Sequence, residues 1–197
     1  VLAAVDIAAR HNIPVLPRGG GSSLAGQAIG HALILDFSRH MDKILEINPE
    51  RRTVHVQPGV LLGQLNKALR PYHLQFGPDP ASADRATMGG IIGNNATGAH
   101  SIQHGMTHDH LQATHIVLSD ATEVTFQPLQ EGDMARKTSR EDREGIIYRT
   151  LHDILRTRKD LIKEKFPHTF RSVAGYNLKA LLESPTRNPS TLMAGSE

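Results

Sequence analysis

Cysteine is absent from the 197 residues, and so is tryptophan. Without thiols the chain holds no disulfide, no thiolate nucleophile and no cysteine ligand for zinc or an iron–sulfur cluster. Aromatic residues make up 4% of the chain, too few for a platform that stacks nucleic-acid bases. A surplus of one charge is missing as well: 22 Lys and Arg face 20 Asp and Glu, so the small net charge of +2 leaves no electrostatic footprint for nucleic acid. No apolar run approaches the ~18 residues a membrane-spanning helix needs. No signal peptide is visible, no segment repeats, and no nucleophile elbow precedes a Ser-His-Asp order.

What is abundant is glycine, and it is concentrated. Pro17-Arg18-Gly19-Gly20-Gly21-Ser22-Ser23-Leu24-Ala25-Gly26 follows the short apolar run Ile13-Pro14-Val15-Leu16, which reads as a buried strand. Three consecutive glycines cost about 1.5–3 kcal/mol of backbone entropy relative to alanine. A plain turn between strands uses one or two. A triplet followed by two hydroxyls suggests backbone that approaches a ligand closely, with successive N–H groups forming a concave anion site. Ser22 and Ser23 add hydroxyl donors and Arg18 a fixed positive charge, so phosphate or pyrophosphate is the natural ligand. The spacing is neither G-x-G-x-x-G nor G-x-x-x-x-G-K-[ST], which removes the dinucleotide and nucleotide-triphosphate motifs of those types.

Around this loop the pattern is mixed. Val1, Leu2, Val5, Ala8 and Ala9 form a helical stripe ended by Asn12. With the strand at 13–16 it makes half of a βαβ unit whose first strand would precede residue 1. Strands are expected at 32–36 and 44–47. The alternation Thr53-Val54-His55-Val56-Gln57 closes a hairpin across Asn48-Pro49-Glu50. Leu61, Leu62, Leu65, Ala68 and Leu69 predict a helix ended by Pro71. Residues 111–118 and 121–126 read as a hairpin around Ser119-Asp120. From 131 to 165, ten basic and eight acidic residues nearly cancel, as on a solvated helical face over the stripe Ile147, Leu151, Ile154 and Leu155. Residues 171–178 read as a loop entering a helix, and the Pro/Asn-rich 184–190 as a mobile connection.

A second glycine-rich stretch runs from Thr87 to Ser101 and carries Gly89, Gly90, Gly93, Asn94, Asn95, Thr97 and Gly98. A buried helix would avoid that mixture. Small residues packed beneath a flat ligand, with amides and hydroxyls at its polar edge, account for it; a tight helix crossing is the alternative. Arg85, just before it, either contacts an anion or caps a loop. His100, His104 and His108 have the i, i+4 spacing that suits zinc on a helix, but Gly98 and Gly105 interrupt a helix there and no acidic third ligand is at hand. No metal is expected.

Together these pieces resemble the FAD-binding domain of the vanillyl-alcohol-oxidase or p-cresol methylhydroxylase type. The motifs are PRGGGSSLAGQ at 17–27, VQPGV at 56–60, FGPDPAS at 76–82 and TMGGIIGNNATGAHSIQHGMTHDHL at 87–111. VLSDATEVTF at 117–126, FRSVAGYNL at 170–178 and AGSE at 194–197 complete the set. The resemblance is strongest to the glycolate oxidase FAD subunit and to D-lactate and D-2-hydroxyglutarate dehydrogenases, including long forms fused to an iron–sulfur module. It implies an α+β, two-lobed domain, here 1–57 and 58–197, cut short at both ends.

It also implies FAD binding by particular residues. Arg18, Gly19, Gly20, Gly21, Ser22 and Ser23 match the pyrophosphate loop. Thr87, Gly89, Gly90, Asn94, Asn95, Gly98, Ser101 and Gly105 match the bed along the flavin and ribityl chain. Pro78, Asp79 and Ser82 match positions near the isoalloxazine, and Val117 the adenine side. Some relatives attach flavin through a histidine at the position of Ser22, so FAD is expected to be non-covalent here. Two departures stand out: His104-Gly105 replaces a frequent Tyr-Gly, and Ala96-Thr97 a frequent Ser-Cys. The implied reaction is oxidation of a 2-hydroxy acid, with electrons passed to a quinone or an iron–sulfur partner. An alditol or sugar-lactone oxidase and a non-catalytic electron-transfer module are the alternatives. The implied location is cytoplasmic, with a peripheral position at the inner membrane face. The family's usual base lies beyond residue 197, so no catalytic residue is assigned.

Overall fold

The computed structural model describes residues 1–169 and 175–197; residues 170–174, which include the start of the FRSVAGYNL motif, lie outside them. Helix α1 (Leu2–Arg10) buries Val5 and Ala8 of its predicted stripe while Val1, Leu2 and Ala9 stay exposed, and it ends where Asn12 takes a left-handed φ of 53°. Strands β1 (Val15–Arg18) and β2 (Leu33–Asp36) then pair in parallel, with Val15 opposite Leu33 and Arg18 opposite Asp36. Parallel neighbours need a crossover, usually a helix. Here the glycine loop at 19–32 is the crossover, which carries it away from β1 and back to the start of β2.

The second pair, β3 (Ile44–Asn48) and β4 (Thr53–Val56), is the expected antiparallel hairpin, with a register irregularity between Ile44 and Glu46. Its turn is closed by Asn48, whose Oδ1 accepts the Arg51 N–H at 3.0 Å. Helix α2 (Leu62–Leu69) buries Leu62, Leu65 and Leu69, and a short 3₁₀ turn, Arg70–Tyr72, takes up Pro71. These leucines meet Val60, Met88 and Ile91 in one core, against which Ile44, Ile47, Val54 and Val56 of the hairpin pack.

The second glycine stretch departs from expectation. It begins as a helix, α3 (Met88–Gly93), capped by Thr87. Docking offsets the poor helix propensity of its glycines. The N–H groups of Met88 and Gly89 donate to Val60 and Pro58 carbonyls at 2.8 Å each. A Cβ on Gly89 would lie 2.8 Å from the Pro58 Cβ, so only glycine permits this approach. A one-turn helix α4 (Ser101–His104) and a 3₁₀ turn, Thr107–His110, follow.

Strands β5 (Thr114–Val117) and β6 (Glu123–Phe126) form the predicted hairpin. The charged region folds as α5 (Asp133–Thr138), α6 (Arg143–Thr157) and α7 (Lys159–Lys165). Val124, Phe126 and Tyr148 make a second core, with the two rings edge to face at 6.0 Å. Buried Glu144 pairs with Lys137 and Arg140, and Lys137 Nζ lies 5.4 Å from the Tyr148 ring centre. Leu155, Ile162, Leu181 and Leu192 close a third core between α6, α7, α8 (Leu178–Glu183) and the 3₁₀ turn Pro189–Met193.

The 184–190 segment is not a mobile connection. Asn188 is buried, and its Nδ2 donates to the Leu111 and Gln112 carbonyls at 3.1 and 2.9 Å. Its Oδ1 accepts from both the N–H and the Oγ of fully buried Ser190. Composition suggested exposure; one buried amide with four hydrogen bonds reverses it. Beyond it, the N–H groups of Gly195 and Glu197 donate to Ile92 and Gly93 at the end of α3, at 3.1 and 3.0 Å. The last residues are thereby sewn to the second glycine stretch.

Candidate functional site

The loop after β1 opens onto a depression of about 360 Å³ lined by Arg18, Gly19, Gly20, Gly21, Ala28, Ile29, Asp36 and Ser38. Among the described residues, the N–H groups of Gly19, Gly20, Gly21, Ser22 and Ser23 donate to no protein acceptor. Consecutive unspent backbone donors are what an anion requires. Gly21 supports the shape with a left-handed φ of 65°, and a Cβ there would just touch the stem of Arg18, 3.7 Å from its Cδ.

The two glycine stretches meet. A Cβ on Gly20 would lie 2.5 Å from the Arg85 carbonyl oxygen. One on Gly19 would lie 2.1 Å from Thr87 Oγ1 and 3.6 Å from the Gly90 nitrogen. The absence of side chains at 19 and 20 is thus what lets the loop sit on the N-terminal end of α3. Arg85 contributes its carbonyl to this contact.

A second junction lies further along. A Cβ on Gly98 would come within 1.9 Å of the Asp79 carbonyl oxygen and 2.3 Å of that of Pro78. The Ala99 N–H donates to Asp79 O at 3.3 Å, and the Ser101 hydroxyl to Pro78 O at 3.5 Å while accepting from the Gly98 N–H at 3.0 Å. Pro78 is buried; Asp79, at a left-handed φ of 50°, lies 3.5 Å from the His100 Nδ1. Ser82 uses its carbonyl to accept the N–H groups of Arg85 and Ala86, turning the chain into α3.

The remaining candidates are used differently. Asn94 caps the end of α3. Fully buried Asn95 holds His108, its Oδ1 accepting that residue's N–H at 3.0 Å. Gly105 has a φ of +81° with Asp109 pressed against it. Val117 pairs with Glu123 in the β5–β6 hairpin, and none of the contacts above includes it. His100 and His104 meet edge to face, ring centres 6.2 Å apart, while the other histidines of the cluster have separate partners. His108 Nε2 meets Asp109 at 3.2 Å, His110 Nε2 meets the His104 carbonyl at 2.8 Å, and His115 meets Glu123 at 2.9 Å. Among the described residues no three His, Asp or Glu side chains are arranged to hold a metal.

Asp36 and Ser38 in the depression wall went unremarked in the sequence. The signal was there: two strands of equal length in parallel register put their terminal charges, Arg18 and Asp36, side by side. Arg18 Nη2 donates to Asp36 Oδ2 at 3.0 Å. The Ser38 hydroxyl and N–H both donate to Asp36 Oδ1, at 2.6 and 2.9 Å. The Ser38 bonds, then the Arg18 bond, hold the Asp36 carboxyl well below the usual range, at about 2.

The model of the family described as FAD binding domain matches residues 1–127. The chain belongs to the FAD-binding domain family. Its relatives agree. A D-2-hydroxyglutarate dehydrogenase of Pseudomonas putida is 37% identical over 186 residues, 94% of this chain and 18% of that protein. The glycolate oxidase subunit GlcD of Bacillus subtilis is 36% identical over 118 residues, 59% of this chain and 25% of that one. The solved carbohydrate oxidase of Microdochium nivale superposes with a TM-score of 0.59 at 24% identity, covering 68% of this chain and 28% of its own, and this likeness shows the fold alone. The chain spans about a fifth of the length of the dehydrogenase relatives it matches. The α+β fold of this FAD-binding domain is therefore the one the motifs implied, and FAD is the ligand its family binds. The depression fits that ligand: its wall carries Gly19, Gly20 and Gly21, whose N–H groups have no protein acceptor among the described residues, and such a bare glycine cradle suits a diphosphate. No helix among the described residues is long and apolar enough to cross a membrane.

Proposed function

We propose that this chain is the FAD-holding part of a flavin-dependent 2-hydroxy acid dehydrogenase acting on D-2-hydroxyglutarate, D-lactate or glycolate. The observation that carries it is the row of uncommitted N–H groups from Gly19 to Ser23, packed on the start of α3. Each charge-assisted bond from such a donor to a phosphate oxygen contributes roughly 1.5–3 kcal/mol, so two or three offset the entropy of the glycine triplet. Arg18 adds its fork to the same anion.

The bed for the flavin and ribityl chain is built from Thr87, Gly89, Gly90, Asn94, Asn95, Gly98, Ser101 and Gly105. Pro78, Asp79 and Ser82 stand at the ring and Val117 toward the adenine. The lobes divide near residue 57, with FAD held non-covalently because a serine, not a histidine, stands at 22. When bound, FAD would supply the redox chemistry, as the acceptor for a hydride from the substrate α-carbon. The chain's own part is to position it: the glycine backbone grips the diphosphate, and the 78–79 and 98–101 junction fixes the bed on which the ring rests. Electrons leave to a quinone or an iron–sulfur module, and the protein works in the cytoplasm, at most peripherally at the inner membrane face.

The test is anaerobic mixing of the full-length protein with each acid. Loss of the oxidised-flavin absorbance with one 2-hydroxy acid, and none with alditols or sugar lactones, is expected. Bleaching by a sugar or alditol alone overturns the substrate class; bleaching by none of them, in a protein that holds FAD, favours an electron-transfer module.

A further inference from the structure

An anion site with a carboxylate in its wall needs a reason. Asp36 lines the same depression as the glycine triplet, and its Ser38 bonds keep it ionised at any working pH. A bare negative charge there repels a diphosphate. The geometry shows how it is occupied instead. Asp36 Oδ1 is taken up twice by Ser38, which leaves Oδ2 aimed at one guanidinium nitrogen of Arg18. A guanidinium has five N–H donors and this contact uses one. Arg18 is the last residue of β1 and Asp36 the last of β2, so the pair is set by the strand register rather than by chance encounter of long side chains. A Cβ on Gly21 would reach the Arg18 stem, 3.7 Å from its Cδ, so the glycine loop passes close to this side chain.

We propose that Asp36, braced by Ser38, is a positioning residue of the diphosphate site: it holds the Arg18 guanidinium at the mouth of the glycine loop before the dinucleotide arrives. This rests on the FAD reading above. Two effects oppose one another when the Asp36 charge is removed. Freeing Arg18 restores its rotamer entropy, which must then be lost on binding and weakens affinity by about tenfold. Removing a like charge at the rim of a half-exposed, salt-screened site strengthens affinity by about two- to threefold. Positioning wins, with a net loss of about three- to fivefold.

Asp36→Asn separates the roles, because the amide oxygen still accepts from Ser38. FAD affinity is read by flavin fluorescence in the wild type, Asp36→Asn, Arg18→Ala and the double variant, at low and moderate salt. The expected result is a roughly three- to fivefold loss in Asp36→Asn, with a small fall in melting temperature at neutral pH because the stabilised carboxylate is gone. With Arg18→Ala already present, the same change should produce no loss, or a gain of up to threefold that fades with salt. The order parameter of the Arg18 Nε–H bond, recorded without nucleotide, should fall in Asp36→Asn as the guanidinium is released. An unchanged FAD affinity in Asp36→Asn, or an equal loss with and without Arg18, overturns the proposal. A wild-type protein that takes up no FAD overturns the parent reading instead. In that case the Arg18 order parameter still decides whether Asp36 orders the guanidinium.

Discussion

Gly20→Ala puts a single methyl where the two glycine stretches meet. The added carbon would lie 2.5 Å from the Arg85 carbonyl oxygen, far inside contact distance, and that neighbour is backbone. No rotamer change relieves it, so the 19–23 loop and the 85–90 turn must part. Overpacking against backbone, which cannot move aside as a side chain can, lies in the upper part of the usual range, about 2–3 kcal/mol. Replacing glycine returns up to about 1 kcal/mol through the unfolded chain. Gly20 does not sit in the left-handed region, so this return is realised and the net loss is about 1–2 kcal/mol. For a chain of this size that lowers the melting temperature by roughly 2–8 °C. FAD affinity should fall more than stability, because the donors at 19–23 move off the start of α3. Thermal unfolding without FAD and a flavin titration measure the two effects. Gly132→Ala is the control: Gly132 has a φ of +79° and open space around it, so it pays only backbone strain of about 1 kcal/mol and leaves FAD affinity alone. A Gly20→Ala protein as stable and as tightly binding as wild type refutes the junction.

Other consequences are equally specific. Ala121 closes the β5–β6 turn at a φ of +62°, so Ala121→Gly should raise stability by up to about 1 kcal/mol, read by chemical denaturation; a lower midpoint contradicts that turn geometry. Asn188→Ala strips the carbonyls of Leu111 and Gln112 and the Ser190 hydroxyl of a partner, and should cost about 2–4 kcal/mol and open 184–190 to protease. An uncut, equally stable variant would return that segment to a surface loop. Burial, then the charges of Glu144 and Asp133, raise the Tyr148 phenol to about 12. A phenol raised above its unfolded value near 10 favours folding below pH 10 and loses that contribution as pH climbs to 12. Tyr148→Phe should flatten the alkaline loss, and an unaltered profile excludes this residue as its source.

Much of this was legible because local pattern and tertiary packing agreed. The stripes of α1 and α2, the hairpins β3–β4 and β5–β6, and the glycine triplet each carry their reason in their own residues. What was hidden depended on partners far away in sequence. Met88-Gly89-Gly90 has poor helix propensity, and only Pro58 and Val60 carbonyls explain why it is helical. Asn188 reads as a loop residue until residues 111 and 112 are placed beside it. Asp36 is an unremarkable strand end until parallel register sets it against Arg18. The convergence of Gly19 and Gly20 on Thr87 and Gly90 was visible only as two motifs, since spacing along a chain does not state distance across it.

Titration of the purified, flavin-stripped protein with FAD, followed by absorbance and gel filtration, addresses the central claim most directly. Uptake of one FAD per chain, released on denaturation and abolished by an aspartate at position 20, is the result the paired glycine junction predicts. A protein that stays colourless with FAD in excess, or that binds it equally well with Gly20→Asp, contradicts it.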